Sequence, residues 1–270
     1  EDHIVSYDDS LGVLQNMTES LEHLNPGEAM YQAAEVLSKV IGTDDVAIYK
    51  VSNRDYCRLL VGTTDQARQL GKSLKYSDRK ELDECLEKRE VFVNRDLSKE
   101  MPVMAYGLRH GDDLEYIIMV WNLPYEKMSL HQMNLLKVVG YMIQNAITRA
   151  DTYLGAVRDK RYLGDTNILN TEAFEKVVKT STEIRRRDYA ESVLLWVQSA
   201  GDAETLQKDE NELQRYNNIL SKNVRETDSF GVGKDGHIYV LLANSNAEEA
   251  DIVIRRFASQ GVVCSLKESM

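Results

Sequence analysis

The stretch from Val224 to Leu242, V-R-E-T-D-S-F-G-V-G-K-D-G-H-I-Y-V-L-L, decides how the chain is read. It predicts a helix end, a short strand from Ser229 to Val232, a reversal through Gly233, Lys234, Asp235 and Gly236, and an apolar strand from His237 to Leu242. The two glycines give the reversal the backbone freedom a tight hairpin needs. Just ahead of it stand Arg225 and Asp228. On a helical turn, positions i and i+3 share a face, so the pair can address one ligand together. An arginine fork fits phosphate oxygens or the Hoogsteen edge of guanine and stacks on purines. A carboxylate accepts two donors from another guanine. Standing alone, the same tetrapeptide is an ordinary surface ion pair.

Composition limits the alternatives. The chain has 270 residues, 43% hydrophobic and 29% charged, with three prolines, which predicts about two regular, well-packed domains. A net charge of -11 opposes binding to DNA or RNA, whose phosphates would meet a repulsive field. A small anion is still compatible where arginines cluster. Cys57, Cys85 and Cys264 are far apart and odd in number, which predicts structural thiols in a reducing compartment. No apolar run is long enough to span a bilayer and no signal peptide is seen, so the chain is expected to be soluble.

In chain order, Tyr7, Leu14, Met17, Leu21 and Leu24 fall at helical spacing. They predict an amphipathic helix that packs on the next domain or forms a stalk pairing two copies. Asn25 is a predicted cap and Pro26 the first residue of a helix running to Ile41. Strands are predicted at Val46 to Val51, Tyr56 to Gly62, Val91 to Val93 and Leu114 to Leu123, with a helix from Asp78 to Lys88. A long helix follows from Leu130 to about Ala150. Its stripe of Leu136, Val139, Ile143 and Ile147, widened by Leu135, Val138 and Met142, is broad enough to meet its own sheet and a partner helix. Gly155 and Gly164 bracket the boundary to a second domain, which opens with a helix to Arg187 and a buried strand from Glu191 to Ser199.

The order helix, strands, helix, strands, long exit helix resembles a GAF domain. The second half resembles the diguanylate cyclase (GGDEF) domain. Asp165, Leu169 and Phe174 match the opening of such domains, and Arg225 and Asp228 match the Arg-x-x-Asp motif that precedes their signature hairpin. The fold expected is therefore α/β (α+β), each domain a central sheet flanked by helices. Residues 1–24 are the stalk or linker helix, 25–155 the GAF-like domain and 156–270 the degenerate GGDEF domain.

The cyclase resemblance also implies what is lost. Joining two GTP molecules needs two metal ions held by a strand-end acid and an acidic signature residue. No acid occurs between Ser192 and Gly201, the segment that would cradle the triphosphate is shortened to Gly201, Asp202, Ala203 and Glu204, and the signature slot holds Lys234, Asp235, Gly236, His237 and Ile238. No catalytic residues and no metal are therefore expected. What remains resembles the inhibitory product site of the cyclases, which binds cyclic di-GMP. There Arg256, 31 residues beyond Arg225, matches the further arginine of that site. The helical wheel agrees: Ala250, Val253, Ile254 and Phe257 define a buried face, with Arg256 roughly 110° from its centre and Arg255 roughly 150° away. Replacing Arg225 or Asp228 by alanine is expected to remove binding and leave the melt unchanged.

The whole is similar to the PelD family of cyclic di-GMP receptors. The resemblance implies a non-enzymatic regulator of Pel-type exopolysaccharide biosynthesis and export, the cytoplasmic region of a bacterial inner or plasma membrane protein whose spans lie upstream. It implies membrane polysaccharide synthase components as partners and a homodimer through the GAF and stalk helices. In the GAF-like half, Tyr106, Arg109 and His110 form no recognisable ligand motif. The competing reading of the chain is a signalling scaffold or dimerisation module that binds no nucleotide.

Overall fold

A computed structural model describes residues 26–267. The Tyr7–Leu24 helix and the Asn25 cap lie outside the described residues. The chain divides into two compact units between Leu154 and Gly155.

In the first unit, α1 (Pro26–Ile41) leads into β1 (Val46–Ser52), β2 (Tyr56–Gly62) and β3 (Ser73–Lys75). Then come α2 (Lys80–Glu87), β4 (Phe92–Val93), β5 (Met104–His110), β6 (Asp113–Val120) and the long α3 (Leu130–Ala156). The strands form one antiparallel sheet in the order β3-β2-β1-β6-β5-β4. Side chains alternate across it. Ala47, Tyr49 and Val51 join Leu82 and Leu86 of α2 in one core. The other face takes α1 and α3. At the α3 crossing the backbone lies so close to β5 that a Cβ on Gly140 would sit 2.8 Å from the Tyr106 ring. This is a GAF-like layering of helices on both sides of a single sheet.

Two strands of this unit, β3 and β5, are absent from the sequence reading. The β5 sequence M-A-Y-G-L-R-H hides its alternation behind Gly107. A side chain there would run into Leu114 and Leu86, the nearest contact being 2.6 Å. The expected strand Leu114–Leu123 is observed as Asp113–Val120.

The second unit contains α4 (Thr171–Arg186), β7 (Ser192–Val197), α5 (Ala203–Gln207), α6 (Glu210–Asn223), β8 (Ser229–Val232), β9 (Ile238–Ala243), α7 (Ala247–Ala258) and β10 (Cys264–Lys267). The antiparallel order β10-β7-β9-β8 closes a β-α-β-β-α-β, ferredoxin-like sheet. Leu213, Tyr216 and Leu220 of α6 pack with Val253 and Phe257 of α7 on one face. Phe174 of α4 packs with Leu194, Tyr239 and Leu241 on the other.

Local sequence sets the helix ends. The Asn170 side chain accepts the Ala173 amide and starts α4, while Asn246 and Glu249 form a reciprocal capping box on α7. Cys57 and Cys264 are buried and Cys85 is half-buried, all three as free thiols. Burial pushes the Cys57 and Cys264 thiols up to about 12, so both stay protonated and act as small apolar side chains. Among the described residues, no helix is long and apolar enough to cross a membrane.

Candidate functional site

The site grows from the end of α6. Val224 leaves helical geometry for an extended conformation, φ -97° and ψ 160°. The next four residues, Arg225 to Asp228, form a turn in which the Asp228 amide donates to the Arg225 carbonyl at 3.0 Å. Thus Arg225 and Asp228 do not share a helix face. They are the two ends of a turn, which corrects the helical reading of their spacing. Thr227, Asp228 and Ser229 are turn-forming residues, and the turn delivers the chain into β8.

The Asp228 carboxylate braces this turn. One oxygen accepts the Arg225 amide at 2.8 Å and the other accepts the Ala243 amide at 3.0 Å, tying the turn to the end of β9. These two bonds, one to each carboxylate oxygen, hold the group in place at the turn. Asp228 is therefore part of the scaffold as well as a candidate ligand group. The expectation that Asp228→Ala would leave the melt unchanged does not survive this geometry.

The exposed Arg225 side chain points its Nη1 toward the Oγ of Ser245, 3.4 Å away. Arg256, on α7, donates its Nη1 to the carbonyl of Asn223 at 3.2 Å, at the last residue of α6. The unsatisfied carbonyls of a helix end attract cations, and here that attraction seats Arg256 on Asn223, two residues before Arg225 in the chain. Arg255 is exposed, with no side-chain partner among the described residues.

A groove of about 500 Å³ opens beside the turn, and Tyr162, Asn167, Ser221, Arg225, Glu226 and Asp228 are among the residues that line it. Arg256 stands outside that lining. Four of these residues, Tyr162, Asn167, Ser221 and Glu226, were missed by sequence reasoning. Their wall is tied by long-range bonds: the Asn167 amide donates to Asn217 Oδ1 at 2.8 Å, and Asn167 Nδ2 to Ser221 Oγ at 3.3 Å. Such bonds cross some fifty residues of chain and leave no trace in local periodicity.

The hairpin after β8 is also well defined. Gly233 donates to the His237 carbonyl at 2.8 Å, and Gly236 takes φ +80°, a conformation open to glycine. Lys234 is paired with Glu175 at 3.0 Å. Asp235 accepts from the Tyr239 hydroxyl at 2.5 Å and the His237 amide at 3.1 Å. Burial pushes the Asp235 carboxyl up, but the Tyr239 and His237 hydrogen bonds outweigh it and hold the group below the usual carboxylate range.

Asp202 lies beside the hairpin, bridged to His237 through the backbone, and its carboxylate caps α5 by accepting the Thr205 amide at 2.8 Å. Among the described residues, no group of three or more His, Cys, Asp or Glu is placed to hold a metal ion.

No protein-family profile and no curated protein matches the chain. Among solved structures it is similar to PelD of Pseudomonas aeruginosa. One PelD structure aligns with 96% of this chain and 90% of its own at 16% identity, with a TM-score of 0.42. A second, PelD in complex with cyclic di-GMP, aligns over the same shares at 15% identity, with a TM-score of 0.39. The GAF domain of an Acinetobacter phosphoenolpyruvate-protein phosphotransferase aligns with 53% of this chain and 94% of its own at 11% identity, with a TM-score of 0.43. The fold assignment rests on the strand order and register given above.

Proposed function

We propose that this chain is a receptor for cyclic di-GMP with no cyclase activity of its own, and that it regulates Pel-type exopolysaccharide biosynthesis and export at a membrane. The ligand is held by Arg225 and Asp228, with Arg256 completing the site, and no metal takes part. Membrane polysaccharide synthase components are the partners, and a homodimer forms through the GAF and stalk helices. One observation carries the reading: a braced turn presents Arg225 and Asp228 into a groove of about 500 Å³, a size that suits a small ligand. Charge-assisted bonds from such groups contribute about 1.5 to 3 kcal/mol each.

Binding to the native state alone stabilises it. At a ligand concentration of 100 times Kd, the gain is about 2.7 kcal/mol. Saturating cyclic di-GMP is therefore expected to raise the melting temperature by several degrees, and an unchanged melt would favour the scaffold reading instead.

The lack of synthesis has its own test. The hairpin carboxylate is engaged by Tyr239 and His237, and the nearest acid after β7 caps a helix. Incubated with GTP and magnesium or manganese, the protein is expected to form no cyclic di-GMP above a control without protein. Product above that control would contradict the proposal.

Arg256 acts on the site through Asn223 at the end of α6 as well as through its charge. Calorimetry with Arg256→Ala is expected to show binding weakened about tenfold, near 1.4 kcal/mol, with Arg255→Ala close to wild type. The opposite ranking would remove Arg256 from the site.

A further inference from the structure

The groove has a feature that the Arg-x-x-Asp motif does not explain. Arg158 lies over the ring of Tyr162, its guanidinium carbon 4.7 Å from the ring centroid. The same guanidinium donates to Asn167 Oδ1 at 2.9 Å and approaches the Thr166 carbonyl at 3.4 Å. Tyr162 is half-buried: it packs against the Leu169 and Phe174 cluster and is among the residues that line the groove with Arg225 and Asp228.

The segment that carries this stack is firmly anchored. Tyr162 bridges Leu169, the Leu163 amide donates to the Ile168 carbonyl at 2.9 Å, and the Asn170 amide donates to the Arg161 carbonyl at 2.7 Å. Leu169 in turn is hydrogen-bonded along the edge of β8, close to Gly231, where a Cβ would meet the Leu169 carbonyl oxygen at 2.7 Å. The segment holding Tyr162 is thus joined to the strand that follows the Arg225 turn.

A planar ring backed by a planar cation, held in place beforehand, is a surface on which a nucleobase stacks without ordering anything new. Aromatic stacking accepts any base, so this platform supplies affinity while hydrogen bonds at Arg225 and Asp228 supply the choice of guanine.

We infer that the Tyr162–Arg158 stack is the platform for one guanine of a cyclic dinucleotide whose other contacts are made at Arg225 and Asp228. The inference rests on the receptor reading above and assigns Tyr162 as a binding residue and Arg158 as a positioning residue. A ligand with two guanines fits this division, because one base is read by polar groups and the other is held flat against the ring.

The probe is a cyclic dinucleotide in which 2-aminopurine replaces one guanine, since the emission of that base is quenched by stacking. Wild type is expected to quench it on binding, Tyr162→Phe to quench it equally, and Tyr162→Leu to leave it bright. Cyclic di-GMP itself is expected to bind Tyr162→Leu at least about tenfold more weakly, with Tyr162→Phe near wild type. Wild-type protein that binds the probe without quenching overturns the platform, whether or not the leucine variant folds. If Tyr162→Leu binds and quenches like wild type while Arg225→Ala does not bind, the platform fails and the receptor reading stands. If wild type binds no cyclic di-GMP at all, both fail.

Discussion

Replacing Arg225 by alanine is expected to reduce cyclic di-GMP affinity at least about 100-fold, near 2.7 kcal/mol, while leaving the fold intact. The side chain is exposed and its hydrogen bond to Ser245 is 3.4 Å long, at the weak end of such contacts. Its removal therefore costs the apo protein within about 0.5 kcal/mol, as for other surface changes. What it takes from the ligand is a planar, permanently charged donor fork at the mouth of the groove. Lysine in its place restores the charge without the fork, so Arg225→Lys is expected to recover only a small part of the affinity. Calorimetric titration alongside a thermal melt separates the two effects. A variant that unfolds, or one that binds like wild type, would contradict the assignment.

Asp228→Ala is expected to behave differently, because this carboxylate works for the fold and for the ligand at once. Its loss strips the Arg225 and Ala243 amides of their acceptors. The first of these bonds is exposed and the second half-buried, so the cost is expected to be about 1.5 kcal/mol rather than the full penalty of burial. For a unit of this size that corresponds to a fall of roughly 6 °C in melting temperature. Binding of cyclic di-GMP is expected to be lost together with that stability. Asp228→Asn keeps one acceptor oxygen, and its melt is expected to fall between those of wild type and alanine. A melt of Asp228→Ala that matches wild type would mean that the turn holds itself without the brace.

These two residues also show how much the sequence reveals. The hairpin from Ser229 to Ala243 is legible because its signals are local: glycines at the reversal, then an apolar run of strand length. The buried face of α7 is legible for the same reason, with Ala250, Val253 and Phe257 recurring at helical period. The geometry of the Arg225 turn is less legible. Arg225 and Glu226 are compatible with a helix, and only the extended conformation of Val224 and the Asp228 brace, which reaches across to β9, end the helix before them. The strands β3, β5 and β10 are short or interrupted, and each is fixed by its neighbours in the sheet rather than by its own pattern. Tyr162 lies in the glycine-bracketed stretch that reads as a domain boundary and Asn167 in the opening of the second domain, and their place in the groove follows from long-range bonds to α6 and β8.

The central claim is that the groove beside the Arg225 turn receives cyclic di-GMP, and isothermal titration of the wild-type protein tests it most directly. The account predicts saturable heat with a Kd in the low micromolar range or below, equivalent to about 8 kcal/mol. It also predicts no heat with Arg225→Ala under the same conditions. A flat titration of a folded wild-type protein at saturating cyclic di-GMP, or equal heats for wild type and Arg225→Ala, would contradict it.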